Sequence, residues 1–293
     1  MAALNPSGIG GGAGEPTWVV LPGLNLHPEA LSPLEAMLAE QGGRIWRALP
    51  QGWPLRPEHG PPGTVQAVGM EGWLRALDTA HGAWCPEPSA APPTSTLQPA
   101  SRPPAAPANA AQAKEGLALL GHSLGAIAGL LWAHTRGIPL RRMVWVAPAL
   151  GARQPLAMLL QLARLFPGSL PIPSLNAPQW RLAPWLPCAA YHALMRCMAA
   201  TGRMRPEWEP ALPPLFILWR EGDEMISTRA IEDLARAQPG RVATHPLPGG
   251  ALGHALHLPP TPETVGDAAW SGLHEALTRW LCAAPPENHP GSP

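Results

Sequence analysis

Short apolar runs alternate along the chain with stretches whose apolar positions recur at helical spacing. The first run, Thr17–Leu21, is β-branched and unbroken, as a strand buried on both faces would be. After a loop, Ser32, Pro33 and Gly42 predict a helix over Pro33–Glu40, with Ser32 as N-cap, Pro33 at the first position and Gly42 near the end. Gly43–Leu49 reads as a second strand. Met70, Trp73, Leu74, Leu77 and Trp84 give Val68–Trp84 a helical spacing. Further strands are expected at Leu117–Leu120, Met143–Ala147, Leu215–Trp219 and Arg241–His245. Helices are expected just after Gly125, around Arg229–Ala237 and over Thr264–Ala283. Strand and helix therefore alternate, which predicts a doubly wound α/β domain with a mostly parallel sheet. The alternation breaks at Leu150–Pro210, about sixty residues of proline-separated amphipathic pieces with no convincing strand. This segment is expected to form a helical cap over one edge of the sheet.

Between Cys85 and Ala111 the pattern vanishes. CPEPSAAPPTSTLQPASRPPAAPANAA holds almost no large apolar residue and is expected to be an exposed surface insertion. Residues 1–16 and 284–293 read as tails. The core would thus consist of residues 17–149 and 211–283.

Composition narrows the function. The 293 residues carry 20 basic and 20 acidic side chains, a formal net charge of zero. That balance gives no warrant for a nucleic-acid partner. Lys114 is the single lysine, and the bias toward Ala, Pro, Gly and Arg looks like the codon usage of a GC-rich genome. Four cysteines, Cys85, Cys188, Cys197 and Cys282, are too few and scattered for a disulfide scaffold and suit a reducing, cytoplasmic setting. The first residues have no basic segment followed by an apolar one, so no secretory signal is expected. No apolar run is long enough to span a membrane. The histidines show no metal-ligand spacing, and neither metal nor other cofactor is expected.

The strongest chemical signal is Gly121-His122-Ser123-Leu124-Gly125, which fits the G-x-S-x-G nucleophile elbow. A short apolar strand ends at Gly121 and a small-residue helix begins after Gly125. A sharp strand-to-helix turn leaves no room for side chains at 121 and 125, and it aims the Ser123 hydroxyl out of the sheet. His122 is too close in sequence to serve as the base and is expected to pack or hydrogen-bond behind the elbow. The bland alternative is a tight turn under a helix.

Such an elbow needs an acid and then a histidine later in the chain. Of the four aspartates, Asp78 precedes the elbow, Asp233 lies in an expected helix and Asp267 comes too late. Asp223 follows the strand Leu215–Trp219, in the loop REGDEMIS at a strand's carboxyl end, and is the expected acid. Glu221 and Glu224 flank it as rivals. The expected base is His254, in the glycine-rich loop GGALGHALHLP, with His257 as its rival or as a lining residue of the cleft.

Together these motifs resemble the α/β-hydrolase superfamily from about Thr17 to Leu281, apart from the insertion. WVVLPGLNLHPEALSPLEAMLAEQG is similar to a core strand, oxyanion loop and first helix, with Pro22-Gly23 where the family usually carries His-Gly. The resemblance implies oxyanion donors at the backbone N–H groups of Leu24 and Leu124. Small bacterial carboxylesterases and monoacylglycerol-lipase or lysophospholipase-like enzymes, which also insert a modest helical cap, are the nearest in appearance. A bacterial, cytoplasmic serine hydrolase of apolar carboxylic esters is therefore expected. Ser123, Asp223 and His254 would be catalytic, and Phe166, Trp180 and Trp185 would wall the pocket. Thioesterases, aminopeptidases, cofactor-free haloperoxidases and carbon–carbon bond hydrolases share the pattern. A non-catalytic binding module of the same fold is the alternative from another class. The oligomeric state is left open.

Overall fold

The computed structural model describes residues 16–49, 70–84, 117–210, 212–249, 257 and 259–283. Residues 1–15, the insertion 85–111, the tail 284–293 and His254 lie outside them.

Six strands form one parallel sheet: β1 (Thr17–Leu21), β2 (Arg44–Arg47), β3 (Leu117–His122), β4 (Leu140–Val146), β7 (Leu215–Arg220) and β8 (Val242–Leu247), in the order β2-β1-β3-β4-β7-β8. All six expected strands are present, with ends shifted by a few residues. β3 sits between β1 and β4, and all its residues are buried. Its unbroken apolar run follows from being covered on both faces.

Side chains alternate across the sheet with the two-residue strand period. Val19, Leu21, Leu119, Met143, Trp145, Ile217 and Trp219 pack on one face, against Trp73 and Leu77 of α2 (Met70–Trp84), Ile127 and Leu131 of α3 (Leu124–Arg136), and Ile231 and Leu234 of α7 (Thr228–Ala237). Trp18, Val20, Leu120, Val144, Val146, Phe216 and Leu218 pack on the other, against Leu34 and Leu38 of α1 (Ser32–Glu40) and Leu273 and Leu277 of α9 (Asp267–Cys282). Each fully buried Leu or Val is worth about 1.5–3 kcal/mol in transfer terms, so the two-faced core dominates the stability of the sheet.

Ser32 does not cap α1 as expected. The helix begins at Ser32 itself, after a 3₁₀ turn over Pro28–Leu31 that is capped by His27. The Ser32 hydroxyl instead donates to Glu29 at 2.8 Å and accepts from Arg47 at 2.8 Å.

The segment between β4 and β7 contains α4 (Gln154–Ala163), α5 (Cys188–Arg203), α6 (Arg205–Trp208) and a feature absent from the sequence reading. Pro171–Pro173 (β5) and Trp185–Pro187 (β6) pair as an antiparallel ribbon. Three-residue strands with proline at three of their ends show no alternation, so no sequence pattern announced them. A short helix α8 (Pro262–Val265) precedes α9. None of the described helices is long and apolar enough to cross a membrane.

Candidate active site

Ser123 occupies a turn that its own residue type disfavours. Its φ is 50° and ψ −114°, a left-handed conformation that costs a non-glycine residue about 1–3 kcal/mol. Hydrogen bonds from Ser123 N to Val146 O (2.9 Å) and from Ala149 N to Ser123 O (3.2 Å) hold the turn against the end of β4. The glycines on either side are sterically required. A Cβ on Gly121 would lie 2.4 Å from Ala126 Cα, and one on Gly125 would lie 2.4 Å from Leu21 O. Gly23 of the loop after β1 passes equally close, with a Cβ position 2.3 Å from His122 Nδ1 and 3.2 Å from Ser123 Cβ. The loop carrying Leu24 therefore crosses directly over the elbow. Leu124 opens α3, so its N–H has no acceptor one turn back in the helix.

Asp223 is completely buried in the loop after β7. Its Oδ1 accepts from Met225 N at 2.8 Å and Ile226 N at 3.0 Å. The segment after β4 braces this loop: Ala152 bridges Ile226, Arg153 N donates to Met225 O, and Arg153 Nη1 donates to Asp223 O at 2.8 Å. The rivals differ visibly, since Glu221 is exposed and Glu224 half-buried.

The histidine brought between Ser123 and Asp223 is His257. The expected base, His254, lies outside the described residues, and His257 is the rival named for it. His257 Nδ1 is 3.0 Å and 3.2 Å from the two Asp223 carboxylate oxygens, and Nε2 is 2.9 Å from Ser123 Oγ. With Nδ1–H donating to the carboxylate, Nε2 is left as the acceptor for the serine hydroxyl proton. His122 supports the arrangement from behind. Its Nε2–H donates to the His257 carbonyl at 2.9 Å, and the two rings lie 5.1 Å apart.

The electrostatics sort the three ionisable groups. Burial works to raise the Asp223 carboxyl, but the His257 charge and hydrogen bond and the two amide donors outweigh it and hold the carboxyl below its usual range. Burial opposes the charged form of His257, yet Asp223, by charge and hydrogen bond, and then Glu224 keep its pKa above the ordinary imidazole value. His122 is pushed down to about 3, first by burial and then by His257, so it stays neutral.

Ser123 and His257 open onto a cleft of about 500 Å³ of empty space, part of it exposed to solvent. Leu24 and Met225 line it from the sheet side, and Leu156, Leu186, Tyr191, Leu194 and Met198 from the segment above. Among the described residues no Asp, Glu, Lys or Arg borders it. The expected walls are elsewhere. Phe166 is 46% and Trp185 56% exposed, and Trp180 packs beside Leu26 and Ala30. The apolar periodicity of the segment marks a greasy face, and Leu and Met occupy the cleft side of it while these aromatics sit outside. Among the described residues no cluster of three His, Cys, Asp or Glu side chains is placed to hold a metal ion.

No protein-family model matches the sequence, and no curated protein matches it. Solved structures do resemble it in three dimensions. A soluble variant of monoglyceride lipase from Saccharomyces cerevisiae, in complex with a substrate analog, superposes with a TM-score of 0.62 at 12% identity, covering 95% of this chain and 89% of that one. A metagenome-derived lipolytic enzyme gives 0.60 at 15% identity, covering 92% and 96%. The monoacylglycerol lipase of Paleococcus ferrophilus gives 0.57 at 16% identity, covering 92% and 95%. A six-stranded parallel sheet clad in helices on both faces, superposable on these enzymes over nearly its whole length, shows that this chain has the α/β-hydrolase fold.

Proposed function

We propose that the protein is a serine hydrolase that cleaves carboxylic esters with an apolar acyl or alcohol part. The observation that carries this reading is the unbroken relay from Ser123 Oγ through His257 to the buried Asp223 carboxylate. In the proposed reaction His257 Nε2 takes the hydroxyl proton as Ser123 Oγ attacks the ester carbonyl. Asp223 holds the imidazole in the Nδ1–H tautomer and stabilises its cation. The backbone N–H groups of Leu24 and Leu124 receive the oxyanion, and the imidazolium returns its proton to the departing alcohol. Water then releases the acid from the acyl-enzyme by the same route.

Among the described residues no charged side chain borders the cleft, which supports an apolar substrate, and lipases and esterases among the structural neighbours point the same way. A p-nitrophenyl ester series tests both chemistry and size. Each CH₂ accommodated in the cleft contributes about 0.8 kcal/mol, so kcat/KM is expected to rise roughly fourfold per added carbon and to fall once the cleft is full, with an optimum among short to medium chains. A fluorophosphonate probe should label the wild type and leave Ser123→Ala unlabelled. A folded wild-type protein that neither labels nor turns over any ester would indicate a binding module instead. Turnover confined to thioesters or amides would keep the nucleophile and change the substrate.

The pH profile follows from the charges around His257. The imidazole must be neutral to accept the serine proton, so activity falls as pH drops through its raised pKa. The acid limb of kcat/KM is thus expected at higher pH than an ordinary imidazole would give. Glu224 helps to raise that pKa, so Glu224→Gln should move the limb toward lower pH with little loss at the plateau. A limb unmoved by Glu224→Gln would show that this carboxylate does not act on the base.

A further inference from the structure

The loop over the elbow is bound to the segment between β4 and β7 by a dense set of hydrogen bonds. Asn25 is at their centre. The residue is 1% exposed; Oδ1 accepts from Ala183 N at 3.0 Å, and Nδ2 donates to Ala183 O and to Ser174 Oγ, each at 2.7 Å. Around it, Asn176 Nδ2 donates to Leu24 O at 2.8 Å, Leu182 N to Asn25 O at 3.2 Å, and His27 N to Trp180 O at 2.8 Å. Leu26 and Arg181 form a β-bridge. Asn25 itself has φ 56°, a left-handed conformation in which Asn is several-fold enriched over most other non-glycine residues.

We infer that Asn25 is a positioning residue for the oxyanion donor at Leu24, tying the loop over Ser123 to residues 174–183 so that the covering segment sets the geometry of the reaction centre. The inference rests on the ester-hydrolase reading. An oxyanion donor acts only within a narrow distance of the developing charge, and removing one costs roughly 10²–10³-fold in kcat. The Leu24 peptide groups have two anchors: the Asn176 amide on Leu24 O, and the Asn25 amide one residue on. Both reach into the same ten-residue stretch of the covering segment. A substrate carbonyl seated against Ser123 would thus meet a donor held by a strand of chain about 150 residues away.

The test separates the side chain from the backbone. Asn25→Gly keeps the left-handed turn and deletes the amide. Esterase kinetics are measured beside inhibition by a trifluoromethyl ketone, whose adduct with Ser123 carries an oxyanion. The expected result for folded Asn25→Gly is a kcat lower by roughly 10–100-fold, KM within about threefold, and ketone affinity weakened in proportion to kcat. Ser174→Ala, which removes one acceptor of Nδ2, should show the same parallel losses at smaller size, and it provides the readout if Asn25→Gly does not fold. Wild-type kcat in either folded variant, or a fall in kcat with unchanged ketone affinity, overturns the inference. A wild-type protein that turns over no ester and takes no fluorophosphonate overturns the ester reading and takes this inference with it.

Discussion

His257→Ala is expected to lower kcat/KM by roughly 10⁴-fold or more, while His254→Ala changes it only a few-fold. The contrast rests on contact. His257 alone among the described histidines has one ring nitrogen on Ser123 Oγ and the other on Asp223. Asp223→Asn should cost about 10⁴-fold in kcat, because an amide at that position favours the wrong imidazole tautomer. Glu221→Gln, on the exposed flank of the same loop, should be mild. Because Asp223 also ties down the Met225 and Ile226 amides, circular dichroism must confirm that its variant is folded. An inactive His254→Ala beside an active His257→Ala would place the base three residues earlier in the chain.

The second large effect is steric. Gly125→Ala puts a methyl group 2.4 Å from Leu21 O and 2.5 Å from Pro22 O, both backbone atoms that cannot rotate away. The start of α3 must then move off the end of β1. Overpacking of this kind costs about 1–3 kcal/mol, and displacing a nucleophile by about 1 Å costs roughly 10²-fold in rate. The expected variant melts several degrees lower and loses kcat by about 100-fold. Gly272→Ala is the control. It lies within α9 with nothing within 4 Å of its Cβ position, so the change should raise Tm slightly through helix propensity and leave activity alone. Equal behaviour of the two variants would show that the elbow tolerates a side chain at 125.

Much of this arrangement is written locally. β1, β3, β7 and the second half of β4 are near-unbroken apolar runs because the middle of a parallel sheet covered on both faces demands them, and that signal needs no partner to be read; the edge strands β2 and β8 carry polar residues and read more weakly. Glycine at 121 and 125 around a serine, between a strand and a helix, encodes a turn whose steric requirement lies within a few residues. The place of Asp223, in a loop at the end of a strand beyond the elbow, was legible by elimination among the four aspartates. His122 was legible as a group that packs or hydrogen-bonds behind the elbow; that its partner is the His257 carbonyl came from the fold.

The rest depends on residues far apart in sequence. His254 and His257 share a glycine-rich stretch with neither helical nor strand periodicity, so nothing local says which ring faces the sheet; the distance to Ser123 and Asp223 decides it. The proline-bounded ribbon of β5 and β6 has no pattern of its own and exists through cross-strand pairing. Leu194 and Met198 of α5 line the cleft, whereas Phe166, beyond the end of α4, and Trp185 of β6 are exposed, because which apolar residues meet the cleft is decided by tertiary neighbours and an apolar pattern reports only that a face is to be covered. The bonds of Asn25 span 149 and 158 residues. By itself the sequence determined the strands of the six-stranded sheet, the turn at Ser123 and the place of Asp223 just after β7, whose physics is local. The choice of histidine, the walls of the cleft and the bond between the loop and the segment above it were decided only by the tertiary structure, because each is a distance between parts of the chain that only folding brings together.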